Sequence, residues 1–408
     1  MAACSLAAAG ELPYAAGIKG PVPREKMQEV VQRIMDEGVA AGWQSCAQCC
    51  VYIDGKKVVD AWAGVMDKES KRPIDGDTLL PVFSSEKPLL ATAMHIAHDK
   101  GLVDYDDPVS RYWPEFTGDG KEKLTIRQLL GHRAGMPAGF AKYQDDMERF
   151  TDWNFMAAVA AAAKPVCMPG TRTGYLSQSY GWYVGVPLTR IFKKPINDLL
   201  TDEVLKPAGI EHDFYFAVPE SELRRCATVY ADNPGDGFLR MNTRELRMAC
   251  IPSAYAVANA RGLAKFYMRL AGMDGKKPLI RRETLVEASR PERWEKEPLP
   301  SAEELVGKWQ MVFALGWGVW GDPDDIGRII GQGGVGGSEG YGDVRNRISI
   351  GYTCGTSIAT PNHDLRPAIY RACGIRTRHM PRPLYTDTPL VEAAASADMP
   401  DGVRCAVE

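Results

Sequence analysis

A serine and a lysine three positions apart are the residues of this sequence best suited to chemistry. Ser84 and Lys87 lie in the segment Pro-Val-Phe-Ser-Ser-Glu-Lys, just before an apolar stretch with helical spacing. On the first turn of a helix the two side chains project to the same side, so the Lys87 amine can take the proton of the Ser84 hydroxyl. The pair therefore predicts a nucleophilic serine with a lysine as its general base.

The predicted position of the pair meets the conditions that such a base needs. A lysine accepts a proton near neutral pH only when its pKa falls well below about 10.4. Burial and the positive end of a helix dipole both disfavour the charged ammonium. The same helix end offers the N–H of Ser84 to a developing oxyanion. The alternative is a helix-capping serine beside a solvated lysine, since Ser-x-x-Lys also arises by chance.

Two glycine-rich patterns overlap near the C-terminal end of the chain. Residues 331–336 match Gly-x-Gly-x-x-Gly, and residues 336–340 match Gly-x-Ser-x-Gly around Ser338. Neither pattern lies at the strand-to-helix turn that a dinucleotide site or a nucleophile elbow requires. We therefore predict no nucleotide cofactor, and we do not expect Ser338 to be the nucleophile.

Cysteine and histidine pairs give no clear metal site. Cys46 and Cys49 have no second Cys/His pair at ligand spacing. His95 and His98 lie on an apolar helical stretch without the glutamate of a zinc protease. We expect structural packing for these residues, and neither a metal nor any other cofactor.

The hydrophobic periodicity around Ser84 indicates an antiparallel sheet covered by helices. Apolar spacing predicts helices at 25–39, at 84–100 and at 256–271. Two β-prone runs flank Asp54-Gly55, which is a strong hairpin signal. The segments with strand character are 49–53, 57–62, 313–320, 327–331 and 347–354.

The order of these patterns predicts a discontinuous domain. Residues 25–124 and 251–376 would form an α/β sandwich, and residues 125–250 would form an inserted, mainly helical domain. Residues 1–24 would be an N-terminal extension. Residues 377–408 lack periodicity and are rich in proline, alanine and acidic residues, so we expect a C-terminal tail.

Composition excludes several classes of function. The 408 residues include 49 basic and 52 acidic side chains, for a net charge of −3, so no nucleic acid partner is expected. The longest apolar run, 155–163, is less than half of the ~20 residues of a membrane-spanning helix. The N-terminus lacks the basic region of a signal peptide, and the ten cysteines are scattered. We expect a cytoplasmic protein without a membrane span; the oligomeric state is not readable.

Several longer stretches together resemble the serine β-lactamase-related hydrolases, and most closely the class C-like branch that includes class VIII carboxylesterases and lovastatin-transesterase-like enzymes. The resemblance covers about residues 25–372 in the family's order. It is carried by the stretches 54–64, 83–87, 101–116, 124–137 and 169–182. It implies an α+β, β-lactamase/transpeptidase-like fold, in which an antiparallel sheet flanked by helices carries an inserted mainly helical domain.

The resemblance also implies a third catalytic residue. The family's Tyr-x-Asn motif is matched by Tyr175-Leu-Ser177. Tyr175 would relay a proton to the leaving group and then help to activate the deacylating nucleophile. Ser177 replaces the asparagine amide that helps relatives to hold substrate. Tyr180 and Tyr183 are competing candidates for which we expect helix packing.

The family's Lys-Thr-Gly motif is matched by Gln332, Gly333 and Gly334. By this resemblance the N–H of Val335 is the second oxyanion donor beside that of Ser84. The two glycines would let substrate approach closely. A neutral Gln332 in place of the cation favours neutral esters over penicillins, which carry a carboxylate.

Three functions remain open. The first is a carboxylesterase-like serine hydrolase with weak or no β-lactamase activity, acting on a small-molecule ester through an acyl-enzyme on Ser84. The second is an acyltransferase that moves the acyl group from such a donor to an alcohol or amine, because the same residues serve both reactions. The third is a non-catalytic scaffold, which the departures at Ser177 and Gln332 encourage.

Overall fold

The computed structural model describes residues 12–137, 140, 143–171, 173–231, 237–291, 313–320, 329–355 and 364–375. The α-helices are α1 Pro13–Gly17, α2 Arg24–Ala40, α3 Lys87–Asp99, α4 Ile126–Leu130, α5 Met147–Thr151, α6 Trp153–Ala162, α7 Tyr180–Phe192, α8 Ile196–Leu200, α9 Lys206–Ala208, α10 Arg244–Met248, α11 Ala260–Leu270, α12 Arg282–Ala288 and α13 Arg366–Ala372. The strands are β1 Cys46–Ile53, β2 Lys56–Gly64, β3 Leu80–Pro81, β4 Phe214–Tyr215, β5 Val257–Ala258, β6 Gly318–Trp320, β7 Ile329–Gly333, β8 Glu339–Asp343 and β9 Ile348–Cys354.

The main sheet has six antiparallel strands in the order β2-β1-β9-β8-β7-β6. β1 and β2 form the hairpin predicted from Asp54-Gly55. Both turn residues have positive φ, 50° and 76°, as a tight two-residue hairpin turn of this kind requires. The remaining strands come from the C-terminal third of the chain. Two distant segments therefore build one sheet, as the sequence predicts.

Helices cover both faces of this sheet. On one face, Val31 of α2 and Ile369 of α13 belong to the same buried cluster as Cys49 of β1. On the other face, Cys50 of β1 packs against Ala260 and Ala264 of α11. Neighbouring residues of a strand point to opposite faces, so Cys49 and Cys50 contribute to separate layers.

The structure adds four strands to those predicted, the short strands β3, β4 and β5 and, in the main sheet, β8; it also moves the start of one helix. β8 contains glycines at 340 and 342, which weaken the strand signal in sequence. At position 340 a Cβ atom would lie 2.6 Å from Cε2 of Tyr267, so glycine lets α11 approach the sheet. The helix predicted from 256 begins at Ala260, because Asn259 caps it by accepting the Gly262 N–H at 2.9 Å and residues 257–258 form β5.

A small sheet with the order β3-β5-β4 leads the chain into the centre of the molecule. After β3, the N–H of Val82 donates to the carbonyl of Ala256 at 3.1 Å. A 3-10 turn, Phe83–Glu86, then continues directly into α3. Every residue of α3 from Lys87 to Ala97 is buried, as the helix predicted at 84–100 requires. The start of this central helix is thus anchored on the small sheet.

Short helical turns connect the longer elements. The 3-10 turns are Phe83–Glu86, Val109–Arg111, Lys121–Lys123, Ser177–Ser179, Glu220–Arg225 and Gly237–Asn242, and Thr201–Leu205 is a π-helical turn.

The helices from α4 to α10 fall within the range 125–250, and the boundaries of the helical domain remain our proposal. The tail at 377–408 lies outside the described residues. Within the described ranges no helix combines the length and apolarity needed to cross a membrane.

Candidate active site

Ser84 and Lys87 meet at the junction of the 3-10 turn and α3. Nζ of Lys87 donates a hydrogen bond to Oγ of Ser84 at 2.9 Å. A second bond runs from Nζ to the carbonyl oxygen of Ser253 at 2.5 Å. Ser84 is half-buried, whereas Lys87 is only 1% exposed, so the solvated-lysine alternative does not hold. The amine is aimed at the serine hydroxyl by contacts from two parts of the chain.

The surroundings of Lys87 favour its neutral form. Burial lowers the pKa of Lys87 to about 7, against the opposing effect of the neighbouring Glu86 carboxylate. A lysine with this pKa is substantially unprotonated near neutral pH and can accept a proton from Ser84. The structure therefore supplies the electrostatic condition for a lysine general base.

Glu86 is a fully buried carboxyl group whose role does not follow from the sequence. Its oxygens accept the backbone N–H groups of Tyr255 at 3.1 Å and Ala256 at 2.6 Å. Burial raises the pKa of Glu86 to about 8, although the Lys87 charge and these N–H groups oppose the shift. The same segment carries the Ser253 carbonyl that binds Lys87. Glu86 thus fixes the segment 253–256, and the Ser253 carbonyl of this segment binds Lys87.

We expect Glu86→Ala to destabilise the protein by about 2–4 kcal/mol, because two buried N–H groups lose their acceptor and a void is left. The measurement is urea unfolding followed by tryptophan fluorescence. Glu69→Ala, at an exposed position, is the matched control and should stay within about 0.5 kcal/mol of wild type. Equal stability of the two variants would contradict this account of the Glu86 contacts.

Tyr175 lies beside the serine–lysine pair. Its ring centroid is 5.1 Å from Nζ of Lys87. The ring stacks on Phe313 with centroids 5.6 Å apart and an interplanar angle of 10°, and it also contacts the ring of His132 at 4.9 Å. The structure therefore brings together Ser84, Lys87 and Tyr175, although Lys87 and Tyr175 are 88 positions apart in the sequence.

The residues after Tyr175 differ in their burial. Ser177 starts the 3-10 turn Ser177–Ser179 with a positive φ of 43° and is half-buried. Tyr180 and Tyr183 are fully buried in α7, and Oη of Tyr180 donates to the carbonyl of Leu130 at 3.4 Å. These two tyrosines pack in the core, as predicted.

The end of β7 and the turn after it lie against Val82 and Phe83, just before α3. Gln332 is 3% exposed, and its amide donates to the carbonyl of Gly333 at 3.2 Å. A Cβ at position 334 would lie 2.4 Å from the carbonyl oxygen of Val82, so only glycine fits there. Position 333 leaves more space. The turn that follows places Val335 close to the chain that enters Ser84.

The two N–H groups proposed as oxyanion donors, those of Ser84 and Val335, lie in different kinds of turn. Ser84 lies in the first turn of the 3-10 segment, where helix N–H groups lack intrahelical acceptors. Val335 lies in a turn closed by the Gly337 N–H, which donates to the carbonyl of Gly334 at 2.9 Å. Among the described residues, no backbone carbonyl accepts the N–H of Val335. Both groups are therefore suited to bind a ligand oxygen.

The Ser338 hydroxyl is engaged in hydrogen bonds that hold the fold together. Ser338 is fully buried, and its hydroxyl donates to the carbonyl of Pro81 at 2.8 Å and accepts the N–H of Cys354 at 3.2 Å. These bonds connect β8 to β3 and β9. No strand-to-helix turn follows it, because Ser338 directly precedes β8. The expectation that Ser338 is not the nucleophile agrees with this arrangement.

The cysteine and histidine pairs also lie in packed surroundings. Cys46 and Cys49 are buried free thiols of β1. His95 is fully buried, with Nδ1 at 2.7 Å from Oη of Tyr105 and Nε2 at 2.8 Å from the carbonyl of Leu315. In the part of the chain that the structure describes, no three His, Cys, Asp or Glu side chains group closely enough to hold a metal ion.

Comparisons with known proteins place this geometry in context. Residues 31–372 match the family described as Beta-lactamase. The chain is 31% identical over 337 residues to Esterase/beta-lactamase LipL of Mycobacterium tuberculosis, and the alignment covers 74% of each of the two chains. A family VIII carboxylesterase structure is 29% identical with a TM-score of 0.72, covering 86% of this chain and 98% of that one. A class C beta-lactamase has a TM-score of 0.66 at 16% identity, covering 87% and 96%. These likenesses confirm the predicted fold.

Proposed function

Because this chain belongs to the β-lactamase family of serine hydrolases, we propose that it is a carboxylesterase-like enzyme that forms an acyl-enzyme on Ser84. The observation that carries the proposal is the 2.9 Å hydrogen bond from Nζ of Lys87 to Oγ of Ser84. Its significance depends on burial, which lowers the pKa of Lys87 to about 7.

In the first step, neutral Lys87 takes the proton of the Ser84 hydroxyl as Oγ attacks the ester carbonyl carbon. The electron pair of the carbonyl moves to its oxygen, and the N–H groups of Ser84 and Val335 stabilise this oxyanion. When the carbonyl re-forms, the bond to the alcohol oxygen breaks. Tyr175 donates a proton to that oxygen and recovers one from Lys87, so the alcohol leaves neutral.

In the second step, a water molecule attacks the acyl carbon and gives its proton to the Tyr175–Lys87 pair. Collapse of the second tetrahedral intermediate releases the carboxylic acid, and the proton returns to Oγ of Ser84. An alcohol or amine in place of water yields an ester or amide. Acyl transfer is thus the second candidate function, and it differs only in the nucleophile that reaches the acyl-enzyme.

The neutral side chain of Gln332 supports uncharged esters as substrates. At the position where lactamases have a cationic residue, Gln332 is buried and its amide binds the carbonyl of Gly333. A carboxylate on the substrate would find no full charge at this position, and an amide contributes less than a charge-assisted bond. We therefore propose weak or no β-lactamase activity, with Ser177, Gly333 and Gly334 forming the rest of the substrate-binding surface.

The test is intact-protein mass spectrometry of the wild-type protein after incubation with a fluorophosphonate, followed by peptide mapping. We expect one adduct per chain, on Ser84, and turnover of p-nitrophenyl butyrate well above that of nitrocefin. Addition of an alcohol acceptor should reveal whether transfer competes with hydrolysis. An adduct on Ser338 would overturn the proposal in favour of Ser338 as the nucleophile, and no adduct together with no turnover would overturn it in favour of the scaffold.

A further inference from the structure

We infer that His132 is a positioning residue that sets the placement of the Tyr175 phenol, an inference that rests on the proposed function. His132 lies between α4 and the segment that carries Tyr175, within the stretch 124–137 that supports the family resemblance. No role follows for it from the sequence alone. Its contacts in the folded chain single it out.

His132 binds the backbone on both sides of Tyr175. Its carbonyl oxygen accepts the N–H of Gly174 at 2.7 Å. Its ring atom Nδ1 accepts the N–H of Leu176 at 3.2 Å. Two hydrogen bonds from one residue therefore bracket the tyrosine, and rotation of the Tyr175 backbone would break at least one of them.

The imidazole also contacts the tyrosine ring itself. The His132 ring centroid lies 4.9 Å from that of Tyr175 and 4.4 Å from that of Phe313. Phe313 in turn stacks on Tyr175, and Tyr180 contacts the imidazole at 4.6 Å. His132 itself is 1% exposed, so these contacts lie in the protein interior. The phenol is thus held through both its backbone and its ring.

The backbone of His132 adopts a conformation that histidine rarely takes. Its φ is +57°, in the left-handed region. Such a conformation costs free energy and persists where surrounding contacts enforce it, often at functional sites. Here it directs the carbonyl to Gly174 and Nδ1 to Leu176 at the same time.

The bond to Leu176 requires a neutral imidazole. Because Nδ1 accepts a hydrogen bond, the ring proton lies on Nε2. Burial, and then the charge of Lys87, holds the pKa of His132 well below its usual range. The positioning contact is therefore kept across the pH range in which Lys87 changes its charge.

The consequence for catalysis depends on the leaving group. A general acid matters when the departing alkoxide is strongly basic and matters little for p-nitrophenolate, which leaves without a proton. Displacing the phenol should therefore impair hydrolysis of alkyl esters selectively. A residue with a purely structural role would lower the amount of active enzyme and would affect all substrates equally.

The experiment compares wild type, His132→Asn and Tyr175→Phe on p-nitrophenyl butyrate and ethyl butyrate. Rates are expressed per fluorophosphonate-titrated site, so that only folded enzyme is counted. Asparagine tolerates positive φ, so the backbone can be retained. We expect kcat/KM for ethyl butyrate to fall about 10²-fold in both variants, and that for p-nitrophenyl butyrate to fall less than about fivefold.

A second variant, His132→Gly, removes the ring without backbone strain, and added imidazole should partly restore its ethyl butyrate activity. His98→Asn is the control, because His98 lies near the C-terminal end of α3, where its Nδ1 is 3.0 Å from the carbonyl oxygen of Val103. Its ratio of the two rates should equal that of wild type.

The outcomes separate the inference from the proposed function. If the ratio of kcat/KM for ethyl butyrate to that for p-nitrophenyl butyrate is unchanged in Tyr175→Phe, the proposed proton relay is wrong, and the inference about His132 is wrong with it. A changed ratio in Tyr175→Phe with an equal fall on both esters in His132→Asn would overturn the inference alone. Loss of labelling in both His132 variants would also overturn it, because His132 would then be a folding determinant.

Discussion

Ser84→Ala is expected to lower kcat/KM for p-nitrophenyl butyrate by about 10⁴- to 10⁶-fold, because it removes the atom that forms the acyl-enzyme. The residual rate would come from transition-state stabilisation by the oxyanion donors, without a covalent intermediate. The fluorophosphonate adduct should disappear as well. Steady-state kinetics and intact-protein mass spectrometry measure the two effects on one preparation.

Ser85→Ala is the matched control for this change. Ser85 is the neighbouring residue, but its hydroxyl is buried and donates to the carbonyl of Ser338 at 2.8 Å. We expect this variant to keep its adduct and to turn over ester within about threefold of wild type per labelled site. Ester turnover that persists in Ser84→Ala at more than about one-tenth of the wild-type rate would contradict the assignment of the nucleophile.

Lys87→Met is expected to lower kcat/KM by about 10³- to 10⁴-fold, because the Ser84 hydroxyl loses the group that accepts its proton. Methionine has a similar length and no charge, so it fills the buried space. The wild-type profile should rise with pH, with a midpoint at the Lys87 pKa of about 7. Neutral lysine is the active form, so about one-tenth of the maximal rate remains one unit below this midpoint.

Stability gives an independent check on the same residue. Burial lowers the pKa of Lys87 from 10.5 in the unfolded chain to about 7, so between these values the unfolded state binds more protons than the folded state. Wild type should therefore gain stability relative to Lys87→Met as the pH rises from 7 towards 10. Thermal unfolding of both proteins at several pH values measures this. A flat difference, or an activity profile without a rising limb near pH 7, would contradict a neutral lysine base.

Local spacing was sufficient to predict the serine–lysine pair. The two residues are one helical turn apart, so any helix beginning there brings their side chains together. The hairpin at Asp54-Gly55 and the buried helix α3 are equally local, because turn geometry and apolar periodicity act over a few residues. The family resemblance added Tyr175, and the structure places this residue next to the pair. The oxyanion and substrate roles remain predictions.

The environment that gives these residues their chemistry could not be predicted from sequence. Glu86 meets the N–H of Tyr255 across 169 positions, and His132 meets Leu176 across 44. Such contacts depend on how distant segments pack, and the residue type of a glutamate or histidine does not predict which groups it will bind. β8 was missed for the same reason, since its glycines make sense only beside Tyr267 of α11. Residue types and short spacings therefore determined which groups could react, whereas burial and long-range hydrogen bonds, which exist only in the folded chain, decided their protonation and orientation.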